Sequence, residues 1–279
     1  AGSFIHAFPF IQQDWDWSNY RIMGVLQRIA LAYGIAAIMV IHLDLKKIFI
    51  SSIGILLSYW GILWLGGGSA PYSLDSNFIR KIDILVLGES HLYGGTGIQF
   101  DPEGLLSTIP SVVTVLMGYL VGSMLHTTKD FLDNVKRMST FGTVSIIIGL
   151  IWGLIFPINK QLWTSSYVLL TGGIATLFLS LLCYMIDIKK WKKPLWVFQI
   201  FGTNSIFLFV LSGLWTKIIL KIKFNLGEES ISGYGYLYKT LFVPFAGDML
   251  GSLLFAFAHL LGFWLILLWL YRKKIFINL

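Results

Sequence analysis

Residues 24–43 read GVLQRIALAYGIAAIMVIHL, twenty positions in which Arg28 is the single Lys, Arg, Asp or Glu. A helix needs roughly 20 apolar residues to cross the hydrocarbon core of a bilayer, so this stretch reads as a spanning helix. Six further runs of the same character follow, at about Ile48–Gly67, Leu105–His126, Thr140–Pro157, Trp163–Ile186, Leu195–Leu214 and Met249–Tyr271. They are continuous apolar runs without the alternation of an outer-membrane barrel. The expected fold is all-α, a polytopic transmembrane helix bundle of about seven spans. Leu241–Ala246 either extends the last span or forms a re-entrant piece.

Composition agrees. The 279 residues are 56% hydrophobic and only 13% charged, against about 25% charged in soluble domains, and the mean hydropathy is +0.74. A soluble protein this greasy would aggregate, so the expected partner is the lipid bilayer. Cys183 is the one cysteine, which excludes a disulfide scaffold. The net charge of +7 does not argue for nucleic acid, because it is explained by where the basic residues fall. Twelve of the 21 lie in short segments around Lys46, Lys136, Lys190 and Lys273. Basic loops mark the cytoplasmic side, and every second loop obeys that rule, which predicts a cytoplasmic C-terminus. Two long loops, about Gly68–Gly104 and Trp215–Asp248, then fall outside and hold most of the polar side chains. Residues 1–20 contain no export signal to place the first residues outside. The expectation is that upstream spans are missing from this chain.

Arg28 is the most informative residue. An arginine inside a span costs at least about 2.5 kcal/mol on insertion scales and usually faces protein or a water-filled cavity. Arg21 precedes it by about two helical turns on the same side. With Gln27, the two could hold a phosphate or carboxylate; snorkelling to the headgroups is the alternative. His91 and Tyr93 in Gly88–Gly95, followed by Asp101 and Glu103, could do acid/base work beside a membrane cavity. Equally, Asp101 before Pro102 has the form of a helix N-cap with Glu103 in the first turn, and His91 of a plain loop residue. Asn159, Gln161, Trp163, Ser165, Ser166 and Tyr167 cluster at the start of the fifth span, where an interfacial aromatic belt and a serine cap also account for them. Asn204 and His259 lie within spans and either bond neighbouring helices or line a cavity. No His, Cys, Asp or Glu spacing makes a metal site, and no nucleophile elbow is present.

Six motifs, in order from about residue 20 to the end, carry a family resemblance. They are Arg21–Arg28, His91–Tyr93, Asp101–Gly104, Asn159–Trp163 with Ser166–Tyr167, Gly202–Ser205, and Tyr271–Phe276. Together they resemble the heparan-α-glucosaminide N-acetyltransferase family and its bacterial relatives, although Met23 stands where a Pro is common and Thr203 where Met is frequent. The resemblance implies a multi-span enzyme that takes an acetyl group from cytosolic acetyl-CoA and delivers it to an amino sugar or glycan across the membrane, without a metal. It implies that the whole of residues 1–279 is one transmembrane acyltransferase domain, the C-terminal part of such an enzyme. In the family the catalytic His lies in an N-terminal segment that nothing before Arg21 matches. Neither His6 nor His91 inherits that role, the catalytic base stays unassigned, and the chain alone is expected to be inactive.

Arg28, Tyr167 and Asn204 remain as positioning or polarising candidates. Arg21, Gln27, His91, Tyr93, Asp101, Glu103, Asn159, Trp163 and Ser166 join Arg28 as candidates for substrate binding. Assembly into a homo-oligomer is compatible with such an enzyme. The lone cysteine and the lack of Asn-x-Ser/Thr in the two long loops fit a bacterial inner membrane. A transporter or export component for a polar solute or glycan is the alternative, with Arg28, Asn204 and His259 along the path. A purely structural membrane subunit is a third.

Overall fold

The computed structural model describes residues 17–125, 127–227 and 229–277. Among these, six helices are long and apolar enough to cross a membrane, or seven if a sharply bent pair counts as one span. The protein is a multi-pass, all-α membrane protein with one short hairpin. Its described residues fall into two compact units, 17–190 and 191–277.

In the first unit, α1 (Val25–His42) ends just before Asp44, whose carboxylate accepts the Lys47 amide and starts α2 (Leu45–Gly66). A short helix, α3 (Phe78–Leu87), follows in the stretch expected to be loop, capped by Asn77. Its ten residues are too few to span, which is why the apolar-run criterion passes over it. The next span, α4 (Leu105–Met124), is the most enclosed. Its faces pack Val112, Leu116 and Leu120 against Ala32, Ala36 and Ile48, and Val113 and Met117 against Leu56 and Val168. The buried hydroxyls of Thr108 and Ser111 donate to carbonyls of the same helix, Gly104 O and Thr108 O, so polar atoms enter the core without loss of a partner. The expected end of this span, His126, lies outside the described residues.

Helix α5 (Phe131–Gly153) begins nine residues before the expected Thr140. Asp130 caps it, and the polar first turns that hid it from an apolar-run reading are ordinary helix residues. Helix α6 (Ser165–Cys183) continues through a π turn, Tyr184–Ile188. The two helices meet through small residues. A Cβ added at Gly142 would come within 3.0 Å of the Gly173 carbonyl, and one at Gly149 would overlap the Leu170 amide. Close backbone approach at glycines is a standard solution for helix pairs in lipid.

In the second unit the expected span Leu195–Leu214 is not straight. It divides into α7 (Trp196–Thr203) and α8 (Ser205–Lys221), bent by 75° at Asn204. The expected loop Trp215–Asp248 is mostly structured. Strands β1 (Lys223–Leu226) and β2 (Glu229–Ser232) pair antiparallel. Then α9 (Gly233–Leu237) and a π turn (Tyr238–Phe242) lead into α10 (Val243–Arg272). Gly247 interrupts α10 with φ 70°, a backbone that favours glycine. Leu241–Ala246 leads toward the last helix and lies on the near side of that break. Ile200, Leu267 and Leu270 form this unit's core.

The close α5–α6 contact generates a test. Gly173→Val places methyl groups against the Gly142 carbonyl and the Ile146 amide and should destabilise the protein by about 1–3 kcal/mol, the usual range for overpacking. Gly54→Ala, where a Cβ meets nothing within 4 Å, should be neutral or slightly stabilising. Thermal unfolding in nanodiscs distinguishes the two.

Candidate functional site

Arg21, Arg28 and Asp83 of the first unit converge on residues 101–107. Arg21, just ahead of α1, holds Asp101 with a two-pronged pair, Nε to Oδ2 at 2.8 Å and Nη2 to Oδ1 at 2.7 Å. The same Nη2 reaches Glu103 at 2.6 Å, and the guanidinium lies 4.6 Å from the centre of the Tyr93 ring. Burial works against its charge, but the hydrogen bonds and charges of Asp101 and Glu103 outweigh it and raise its pKa above the ordinary arginine value.

One turn into α1, Arg28 is 4% exposed. It does not snorkel: its Nη2 donates to the Pro102 carbonyl and the Ser107 hydroxyl. Its guanidinium sits 4.7 Å over the Trp163 ring. Trp163 is locked in turn by its Nε1–H to Thr114 Oγ1 at 3.2 Å, edge-on packing against Tyr167 and a φ of 50°. Strained backbone of that kind persists where its surroundings over-determine it. Two polar groups in this region stay unmatched. Arg28 Nε, and both the Nε2 and Oε1 atoms of Gln27, are buried without a hydrogen-bond partner among the described residues. A donor on the arginine and a donor–acceptor pair on the amide are therefore available to a ligand.

The helix-cap reading of Asp101 is corrected. Helix α4 starts three residues later, after Gly104. Asp101 is committed to Arg21 and to the Glu103 amide at 2.9 Å. The cap comes from Asp83 on α3, whose Oδ1 accepts the Leu105 amide at 3.0 Å. Gly104 is required for this contact, since a Cβ there would overlap Asp83 Oδ2. Asp83 is fully buried, and Oδ2 has no partner among the described residues. Burial pushes its pKa up to about 6, partly offset by the Leu106 and Leu105 amides. Twenty-two residues separate cap and helix, so no local spacing in the sequence announces Asp83.

Other expected site residues make hydrogen bonds within the fold. His91 Nδ1 donates to the Tyr20 carbonyl at 2.7 Å, which ties the 88–95 segment to the chain entering α1. Asn159 Oδ1 accepts the Gln161 amide, and Thr164, not Ser165 or Ser166, caps α6. Ser165 and Ser166 donate to the Leu56 and Phe156 carbonyls. Asn204 belongs to the second unit and spends both ends of its amide on the C-terminal segment, Nδ2 to Ile275 O at 3.1 Å and Oδ1 from Ile277 N at 2.7 Å. It pins the α7–α8 break and has little left with which to polarise a substrate. His6 lies outside the described residues. Among the described residues no group of three or more His, Cys, Asp or Glu is placed to hold a metal.

Two expectations follow. Asp101 is buried while Arg21 is 23% exposed, so Arg21→Met strands a carboxylate and should cost about 3 kcal/mol. Adding Asp101→Asn should restore much of it, as urea unfolding of single and double variants would show. Asp83 gives a pH signature. Its folded pKa of about 6 exceeds the ordinary 3.8, so its contribution is complete below about pH 4 and lost as pH rises to 6. The change should be on the order of 3 kcal/mol. Asp83→Asn keeps the acceptor for Leu105 and should remove that slope from the unfolding temperature measured between pH 4 and 7.

No family model matches the chain. It is 29% identical over 249 residues to human (Homo sapiens) heparan-alpha-glucosaminide N-acetyltransferase, with 70% of this chain and 37% of the relative covered. The mouse (Mus musculus) protein of the same name is 29% identical over 251 residues, with 70% and 38% covered. The chain thus spans little more than a third of the length of the curated relatives it matches. Over the matched 70% of its length, the chain is similar in sequence to the heparan-alpha-glucosaminide N-acetyltransferases.

Proposed function

We propose that this protein takes part in transmembrane acetyl transfer, from acetyl-CoA on the cytosolic face to an amino sugar on the opposite face, with the Arg28 cluster positioning the reactants. The sequence similarity supports the reaction class. The observation that carries the site is a buried arginine whose Nε–H has no partner among the described residues, on the same helix turn as a Gln27 amide that has none either. When an amine attacks a thioester, a C–N bond forms, the C–S bond breaks, the amine loses a proton and negative charge passes through the carbonyl oxygen. A fixed donor in a water-poor site stabilises that oxygen far better than water does, and Arg28 Nε has the chemistry for it. The Gln27 amide is complementary to a secondary amide, of which the arm of CoA has two. Its phosphates would suit Lys136 and Arg137, which border a cavity of about 600 Å³ at the start of α5. In this reading Arg21, Asp101 and Glu103 fix the geometry, and the proton-accepting base remains unassigned. A bacterial inner membrane with a cytoplasmic C-terminus is the matching location.

One observation favours transport instead. The 75° break at Asn204 resembles the discontinuous helices of transporters. Against it, the break is closed by the chain's own Ile275 and Ile277 backbone.

Full-length protein carrying this sequence, reconstituted in proteoliposomes with labelled acetyl-CoA and glucosamine on opposite faces, should label the sugar. Arg28→Leu should slow transfer about a hundredfold, the usual loss for one oxyanion donor. Arg28→Lys should recover little, since an ammonium lacks the planar fork. Transfer to no amino sugar or glycan, solute flux without acyl-CoA, or full activity in Arg28→Leu would overturn the reading.

A further inference from the structure

Helix α10 carries His259 twelve residues past the Gly247 break and thirteen before Arg272. That is near the middle of a bilayer-length segment, where an ionisable side chain marks a functional site by default. Its ring orientation is fixed. Nδ1 lies 2.9 Å from the Phe255 carbonyl, and a carbonyl only accepts, so Nδ1 carries the hydrogen. In the neutral imidazole Nε2 is then a lone-pair acceptor, and it has no hydrogen-bond partner among the described residues. Phe255 packs edge-on against the ring at 4.4 Å and Tyr234 lies at 5.5 Å, so the ring is held by its neighbours.

His259 borders a cavity of about 330 Å³ within the second unit, walled by Trp215, Leu241, Phe242, Phe255 and Phe263 among others. Besides His259 and the Trp215 indole, every side chain lining it is hydrocarbon. Gly262, one turn beyond His259, widens the space, for a Cβ there would meet nothing within 4 Å. Small-molecule sites have this make-up, an apolar wall with very few polar groups that set orientation.

We propose that this cavity binds a neutral membrane lipid with a single hydroxyl on an isoprenoid or alkyl chain, the hydroxyl donating to His259 Nε2. Other chemistries fit worse. A sugar would leave most of its hydroxyls unpaired against hydrocarbon. A phospholipid headgroup belongs at the interface, not at mid-span. A cation finds no carboxylate among the lining residues and an anion finds no donor on a neutral imidazole in this tautomer. A plain hydrocarbon would fill the space but leave Nε2 unmatched. The site stands independently of the acyl-transfer reading, since all its residues lie in the second unit.

The test uses the protein in nanodiscs with two photoreactive probes, a diazirine-bearing farnesol and the same hydrocarbon without its hydroxyl. The alcohol should label residues 255–266 about fivefold more strongly than the hydrocarbon, the ratio expected for one neutral hydrogen bond. His259→Phe should bring the alcohol down to the hydrocarbon level, and Gly262→Leu should abolish labelling of that segment by both. Equal labelling of the wild-type segment by the two probes overturns the proposal, as does labelling that survives Gly262→Leu. If a variant fails to fold, the wild-type comparison still decides.

Discussion

A guanidinium inside a bilayer-length helix has no bulk water to solvate it, and lipid offers no substitute. The first unit is arranged around meeting that demand at Arg28. The Pro102 carbonyl and Ser107 hydroxyl are brought 74 and 79 residues along the chain to reach it, and the Trp163 face covers it. Because those groups sit at the entrance to α4, the start of that helix is fixed in space. Arg21 clamps Asp101 and Glu103 in the same segment, and Asp83 supplies the cap that Asp101 cannot. The most enclosed span is therefore registered against α1 by charge and hydrogen bonding, while its apolar faces only fill space. Direction in the membrane comes from polar groups because apolar packing against lipid-like neighbours has little of its own.

Arg28 is also only partly satisfied. Its Nη2 is engaged, yet Nε and the neighbouring Gln27 amide are buried and unspent. A purely structural arginine would be expected to have all its donors paired. Unspent donors next to a braced framework are what a preorganised site needs, and this is the basis on which the cluster is proposed to act on a ligand. Asn204 shows the opposite pattern. Both ends of its amide are used by the C-terminal backbone, so its role is to hold a bend.

Much of this was legible in the sequence. The long apolar runs announced the spans, and a lone arginine in one of them stood out, while Asp101, Glu103, Tyr93 and Trp163 were singled out separately as polar or aromatic residues outside the spans or at their ends. What stayed hidden depends on contacts distant in sequence or on short elements. Asp83 sits in a ten-residue helix, and its cap partner is far along the chain. The polar turns of α5 do not look like membrane, although they are continuous with it. The bend at Asn204 occurs inside an apolar run, where hydropathy does not change, and only the Ile275–Ile277 backbone explains it. Asp101 was misread because an Asp-Pro pair has the local form of a cap, and a distant arginine took its carboxylate instead.

The account stands on Arg28 serving acetyl transfer across a membrane, and sidedness tests it most directly. Full-length protein carrying this sequence, inserted in one orientation, would be sealed in vesicles with glucosamine inside and labelled acetyl-CoA only outside. Labelled sugar should accumulate in the lumen for the wild type and fall to background for Arg28→Leu. Label that forms only when donor and acceptor share one face, or that is unaffected by loss of the arginine, would contradict it.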